Sequence, residues 1–170
     1  MATTYTLISS VTVGSGGAAN IEFTSIPQTY TDLKLVFSIR NARATFGPGY
    51  GRLQFNSSAS NWSGIRLYND DASPGSATRS DNYTIFSLAV NAATSNTFGN
   101  GEVYIPNYTS SNNKSISIDS TNENNGSNIQ QELNAFLWSN SAAITSIKID
   151  GDGINFLQYS TAYLYGISNA

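Results

Sequence analysis

Apolar and polar residues alternate along nearly the whole chain, and the period is two. In Leu33-Lys34-Leu35-Val36-Phe37-Ser38-Ile39-Arg40, the residues Leu33, Leu35, Phe37 and Ile39 fall on one side of an extended strand, because successive Cβ atoms point to opposite faces. Shorter β-branched or aromatic runs behave alike at Tyr5 to Val13, Ile21 to Phe23, Leu53 to Phe55, Ile65 to Tyr68 and Tyr83 to Val90. They continue at Val103 to Ile105, Ile116 to Ile118, Ile144 to Ile149 and Thr161 to Ile167. Breakers separate them: Gly14-Ser15-Gly16-Gly17, Gly47-Pro48-Gly49, Ser73-Pro74-Gly75-Ser76 and Asp150-Gly151-Asp152-Gly153. The pattern predicts an all-β chain, an antiparallel β-sandwich of about ten strands, with residues 1–170 forming one domain. Leu35, Phe37, Ile39, Ile116, Ile118, Ile147 and Leu164 are expected in its core.

One segment fits two periods. Ile129, Leu133, Phe136 and Leu137 share a helical face, but Leu133, Ala135 and Leu137 also alternate. Asn134 is a poor helix former and a lone helix conflicts with the surrounding pattern, so a strand is expected. The polar stretches Asn56 to Gly64, Asp70 to Asn82 and Ser120 to Asn128 are expected as exposed loops. Ile26-Pro27-Gln28-Thr29-Tyr30-Thr31 and Ile105-Pro106-Asn107-Tyr108-Thr109-Ser110 echo each other; proline ending a strand and tyrosine plugging a sandwich end account for both.

Composition removes most catalytic chemistry. The chain has no histidine, no cysteine and only three lysines, Lys34, Lys114 and Lys148. The commonest proton shuttle and the strongest native nucleophile are therefore missing, and no enzyme activity is expected. About a third of the chain is Ser, Thr and Asn. Charged residues make up only 11%, against a usual share of about 25%, so hydroxyls, amides and tyrosines must form much of the surface. A net charge of -3 with scattered bases implies no nucleic-acid partner. No apolar run approaches a membrane span and Met1 to Tyr5 lacks the form of a secretory leader, so no membrane partner is expected and the chain is expected to start near Met1. The glycosylation-type triplets at Asn56, Asn61, Asn82, Asn107, Asn113 and Asn125 follow from the richness in Asn, Ser and Thr.

The remaining candidate chemistry is sparse. Asp150-Gly151-Asp152-Gly153 alternates carboxylates as a calcium loop does, but Ile154 takes the next ligand position and Gln158 carries no charge. A hairpin turn explains its glycines, and no metal or cofactor is expected. Asp70-Asp71 reads as a solvated turn. Glu22, Glu102, Glu123 and Glu132 could supply a carboxylate pair for glycoside hydrolysis only by an accident of folding. The Gly14 to Gly17 run lacks the Lys-Ser/Thr that a phosphate loop needs. Among Tyr50, Trp62, Tyr68, Tyr83, Tyr104 and Tyr108, the best candidate for contact with a sugar is Trp62, which sits in a polar stretch. No catalytic, cofactor-binding or metal residue is assigned.

Four segments carry a family resemblance. They are Ile26 to Leu33, Phe98 to Tyr108 (FGNGEVYIPNY), Leu137-Trp138-Ser139 and Gln158 to Ile167 (QYSTAYLYGI). These resemble segments of small virion structural proteins of tailed bacteriophages, especially those infecting cyanobacteria and other marine and freshwater bacteria, and the resemblance runs from Tyr5 to Asn169. It implies a β-sandwich of jelly-roll type on the outside of a capsid or on a tail fibre. The expected function is that of a capsid decoration or cement protein, a homotrimer that binds the major capsid protein shell after assembly in the host cytoplasm. The alternative is a tail-fibre or receptor-binding module, gripping host surface glycan through Trp62, Tyr68 and the Asn122 to Asn128 stretch.

Overall fold

The computed structural model describes residues 4–45, 49–70, 74–79, 84–123 and 129–168. They form β1 (Tyr5–Thr12), β2 (Asn20–Phe23), β3 (Asp32–Asn41), β4 (Gly49–Phe55), β5 (Trp62–Asp70) and β6 (Pro74–Arg79). The chain continues through β7 (Phe86–Val90), β8 (Gly99–Ile105), β9 (Lys114–Glu123), β10 (Ile129–Trp138), β11 (Ile147–Asp150) and β12 (Thr161–Ile167). The expected β3 covers Leu33 to Arg40, and the ambiguous segment is a strand over its full length.

Eight strands make a long antiparallel sheet in the order β1-β12-β3-β8-β9-β10-β5-β6. Four make a short one, β2-β11-β4-β7. The antiparallel expectation holds everywhere but at one junction, where the end of β3 runs parallel to β7 through Arg40↔Ala89 and Asn41↔Val90. Pairing is thereby continuous through both sheets. This order is sandwich-like without establishing a jelly roll, in which eight strands form two Greek keys. Twelve strands exceed the expected count partly because Pro74–Arg79, read as loop, adds itself to β5 as an edge. Its small residues carry no apolar period, and an edge position is one of the few that tolerates Pro74.

The short sheet packs across the inner face of the long one. Phe37 of β3 meets Phe86 of β7 at 5.0 Å between ring centroids, and Phe55 of β4 meets Trp62 and Trp138 at 5.0 and 5.5 Å. All seven expected core residues are buried, within one contiguous apolar cluster. Gly101 lies directly across from Phe37 in the β3–β8 pair, where a Cβ would come within 2.5 Å of the ring and of the Asp119 carbonyl. The aromatic ring occupies the space that the missing side chain leaves.

At one end of the sandwich the two echoing Pro-Tyr segments meet. The Tyr108 hydroxyl donates to the Pro27 carbonyl and accepts from the Tyr30 amide at 3.4 Å. Asp32 accepts from the Tyr104 hydroxyl at 2.6 Å and from the Asn107 amide at 2.8 Å. Tyr108 is fully buried, and Tyr30 lies where a Cβ on Gly166 would be. The expected tyrosine plug is therefore one joint structure, tying the start of β3 to the end of β8.

Two predictions follow from this packing. Phe37→Ala should cost about 3–5 kcal/mol in chemical denaturation, since a buried ring leaves a cavity that its neighbours only partly fill. The second concerns alkaline pH. Burial raises the Tyr108 phenol above its ordinary value of 10.0, and the hydrogen bond to Asp32 raises that of Tyr104. Unfolded phenols ionise first, so this contribution to stability is intact below pH 10.0 and is lost as pH climbs through the raised folded values. Burial lowers Lys114, which acts in the opposite sense by adding stability as pH rises toward 10.5. Phenolate absorbance therefore isolates the effect: Tyr104 and Tyr108 should titrate above 10.0, and Tyr108→Phe should remove one such phenol.

Candidate functional site

Among the described residues, those singled out by chemistry do not assemble into a reactive centre. Asp150 accepts from Gln54 Nε2 at 2.9 Å and from the Asp152 amide at 3.0 Å, while Asp152 pairs with Arg52 at 2.7 Å. Asp152 and Gly153 have positive φ, as a tight turn requires. The segment after it bridges to Ala18 and Asn41 through Phe156 and forms no second hairpin strand. Glu22, Glu102 and Glu123 lie on exposed positions of their strands, and only Glu132 points inward. Glu102 is held by Lys34 at 2.7 Å. Gly14 to Gly17 forms a turn closed by the Gly17 amide on the Gly14 carbonyl at 3.0 Å. Among the described residues, no group of three or more acidic, histidine or cysteine side chains could hold a metal ion, and no helix is long and apolar enough to cross a membrane.

Trp62 needs correction. It is the first residue of β5, buried rather than exposed, and its indole stacks on Trp138 at 6.2 Å. Alternation decides this: Trp62, Gly64 and Arg66 face inward, so Ser63, Ile65 and Leu67 face out. Of the other aromatic candidates, Tyr50 and Tyr68 are half-buried, Tyr104 is exposed and Tyr108 is core. Tyr83, Asp71 and residues 124–128 lie outside the described residues. Asn122 is half-buried, its amide donating to the Leu88 carbonyl at 3.2 Å and to Gln130 Oε1 at 3.1 Å. Asn56 is likewise committed, donating to Ala143 and accepting from the Thr145 and Ser146 amides.

The outer face of the long sheet is the feature that stands out. Ile65, Leu67 and Leu133 are 55, 54 and 51% exposed on β5 and β10, where Leu67 lies opposite Leu133 and Ile65 opposite Ala135. With Tyr104 they line a shallow groove of about 390 Å³. Glu102 and Asp119, direct cross-strand partners on β8 and β9, border it. Like charges placed opposite each other disfavour the pair, and Lys34 relieves only Glu102. Each of these half-exposed side chains forgoes roughly 0.7–1.5 kcal/mol of burial, and adjoining ones on one sheet face form a contact surface. Sequence alternation pointed to these strands but not to which side faces water.

A scan against protein-family models finds no match, and searches of the curated proteins and of the solved structures find none either. The fold and its surface therefore define the class by themselves: an all-β, sandwich-like protein with an exposed apolar sheet face.

Because Gln54 and Arg52 already engage the Asp150–Asp152 turn, a chelator should leave the melting temperature unchanged. A fall of several degrees that calcium reverses would make both aspartates ligands.

Proposed function

We propose that this protein is a virion structural protein of a tailed bacteriophage, a capsid decoration or cement protein that binds the outside of the major capsid protein shell. The observation that carries the reading is the apolar outer face of β5 and β10. An aliphatic strip bordered by Glu102 and Asp119 complements a protein surface of apolar side chains flanked by lysine or arginine. The resemblance of the Ile26 to Leu33, Phe98 to Tyr108, Leu137 to Ser139 and Gln158 to Ile167 segments to phage virion proteins supports the shell as that surface. Binding that favours the assembled shell over its open or expanded states stabilises it by mass action, with no turnover.

A homotrimer fits this role. β1, β2 and β6 each pair on one side only among the described residues, and a closed ring of copies covers strand edges that otherwise invite aggregation. Assembly in the reducing host cytoplasm suits a chain without cysteine. The tail-fibre alternative has lost its anchor, since Trp62 belongs to the core.

Native mass spectrometry should give three copies, and electron cryo-microscopy of virions containing this chain should place them on the shell exterior. A location confined to the tail tip would overturn the capsid reading. Leu67→Asp with Leu133→Asp should preserve the strand-type circular dichroism spectrum and reduce shell binding by about 30-fold or more, the effect expected for losing a central anchor. Unchanged binding would exclude the outer face as the contact.

A further inference from the structure

On the inner face of the same strand pair lies a polar cavity of about 190 Å³. Its floor is an ion pair between Arg66 of β5 and Glu132 of β10, whose side chains are only 6 and 3% exposed. Glu132 is fully provided for: Arg66 Nη2 and Ser87 Oγ donate to Oε1, the latter at 2.5 Å, and Asn134 Nδ2 donates to Oε2 at 3.3 Å. Tyr50 and Tyr68 bracket the guanidinium, with its carbon 5.5 and 5.1 Å from their ring centroids. Such a group is costly to bury and is no better for stability than apolar packing of the same volume. It occupies the part of the long sheet where β10 changes from Trp138 and Phe136 to Asn134, Glu132 and Gln130.

The hydrogen-bonding capacity in this cavity is only partly used. Arg66 Nε has no hydrogen-bond partner, but burial closes it off from a ligand, so the usable capacity lies in the side chains around the ion pair. Gln130 accepts from Asn122 through its Oε1, which leaves its amide N–H groups for a ligand, and it lines the cavity with Tyr68 and Tyr50. Arg79 lines the rim and is held by another contact. Donors that converge above a neutralised ion pair call for an uncharged ligand rich in oxygen, and the volume admits one small ring. We propose that this cavity is a binding site for a single neutral saccharide ring. The Gln130 amide donates to a ring or hydroxyl oxygen, and the two phenols either donate or accept. A cleft that binds a ligand in this way keeps a few convergent polar groups on a rigid support, and β5 and β10 supply that support. The site is independent of the outer face, so either proposal can fail alone.

The test is nuclear magnetic resonance titration of the full chain with methyl glucoside, methyl galactoside and N-acetylglucosamine at millimolar concentrations, with acetate as the charged control. At least one sugar should shift the Gln130 side-chain amide signals saturably, with intermolecular nuclear Overhauser contacts to the Tyr68 ring. Tyr68→Phe, which keeps the ring over Arg66, and Gln130→Ala should each weaken that binding about tenfold while the melting temperature holds. No saturable shift with any of the three sugars would overturn the proposal. So would saturation by acetate alone, or sugar shifts that both variants leave unchanged. Should a variant fail to fold, the Overhauser contacts in the unaltered protein decide.

Discussion

Everything else in the fold hangs on one strand belonging to both sheets. Over Leu33 to Ile39, β3 is an interior strand of the long sheet, with β12 on one side and β8 on the other. At Arg40 and Asn41 it leaves that ladder and pairs with β7 of the short sheet. A strand cannot change sheets without exposing backbone groups at the crossing, and buried amides and carbonyls must be paired. Ser160 does this for Arg40, accepting from its amide and donating to its carbonyl at 3.1 Å each, and the Leu157 amide adds a bond to the same carbonyl at 2.8 Å. The guanidinium of Arg40 reaches in the other direction, to the carbonyls of Asn91, Ala93, Thr94 and Thr97. One residue thus seals the junction and shapes the loop between β7 and β8. Burial lowers the affinity of Arg40 for its proton, and four carbonyl dipoles take the place of a counter-ion.

How far this was legible from the sequence depends on what a period can encode. β3, β9 and β12 were readable because apolar residues on one face coincide with the buried side. β10 was readable as a strand yet not as a surface, since Leu133 and Leu137 look like its core side and are its outside. Alternation fixes that two faces differ and leaves open which one another layer covers. Trp62 was misplaced for a related reason. Its neighbours Asn61 and Ser63 are polar, and only the pairing of β5 with β10 brings it onto Trp138. Arg66 and Glu132 left a trace that could have been followed: single charges inside strand patterns, in a chain with few charges. Nothing local in the sequence shows that the two meet.

The coverage of the long sheet explains the division of chemistry along the β5–β10 pair. Four strands cannot blanket eight. Where the short sheet lies over β10, at its C-terminal half, Phe136 and Trp138 pack into Phe55 and Trp62. Toward the N-terminal half the cover thins to Ser87 and Tyr50, and the inward positions become Asn134, Glu132 and Gln130. An apolar lining there would stand open to water. An ion pair whose carboxylate is fully hydrogen-bonded is the arrangement that a partly covered cleft tolerates.

The same strand pair raises a question of specificity. A one-residue slip of β10 against β9 would turn Leu133, Ala135 and Leu137 inward, which taken alone looks favourable. It would also carry Phe136 and Trp138 into solvent, and truncating such rings in a core costs about 3–5 kcal/mol each. The slip would strand Arg66 without its carboxylate, and a buried charge without its partner is penalised by a further 3–5 kcal/mol or so. Aromatic residues at one end and a charge pair at the other therefore fix the register together, although neither the exposed leucines nor the ion pair serves stability best where it stands. A strand pair that holds apolar residues outside and charges inside is what the two proposals account for, with protein proposed against the outer face and a small polar ligand proposed in the inner cleft.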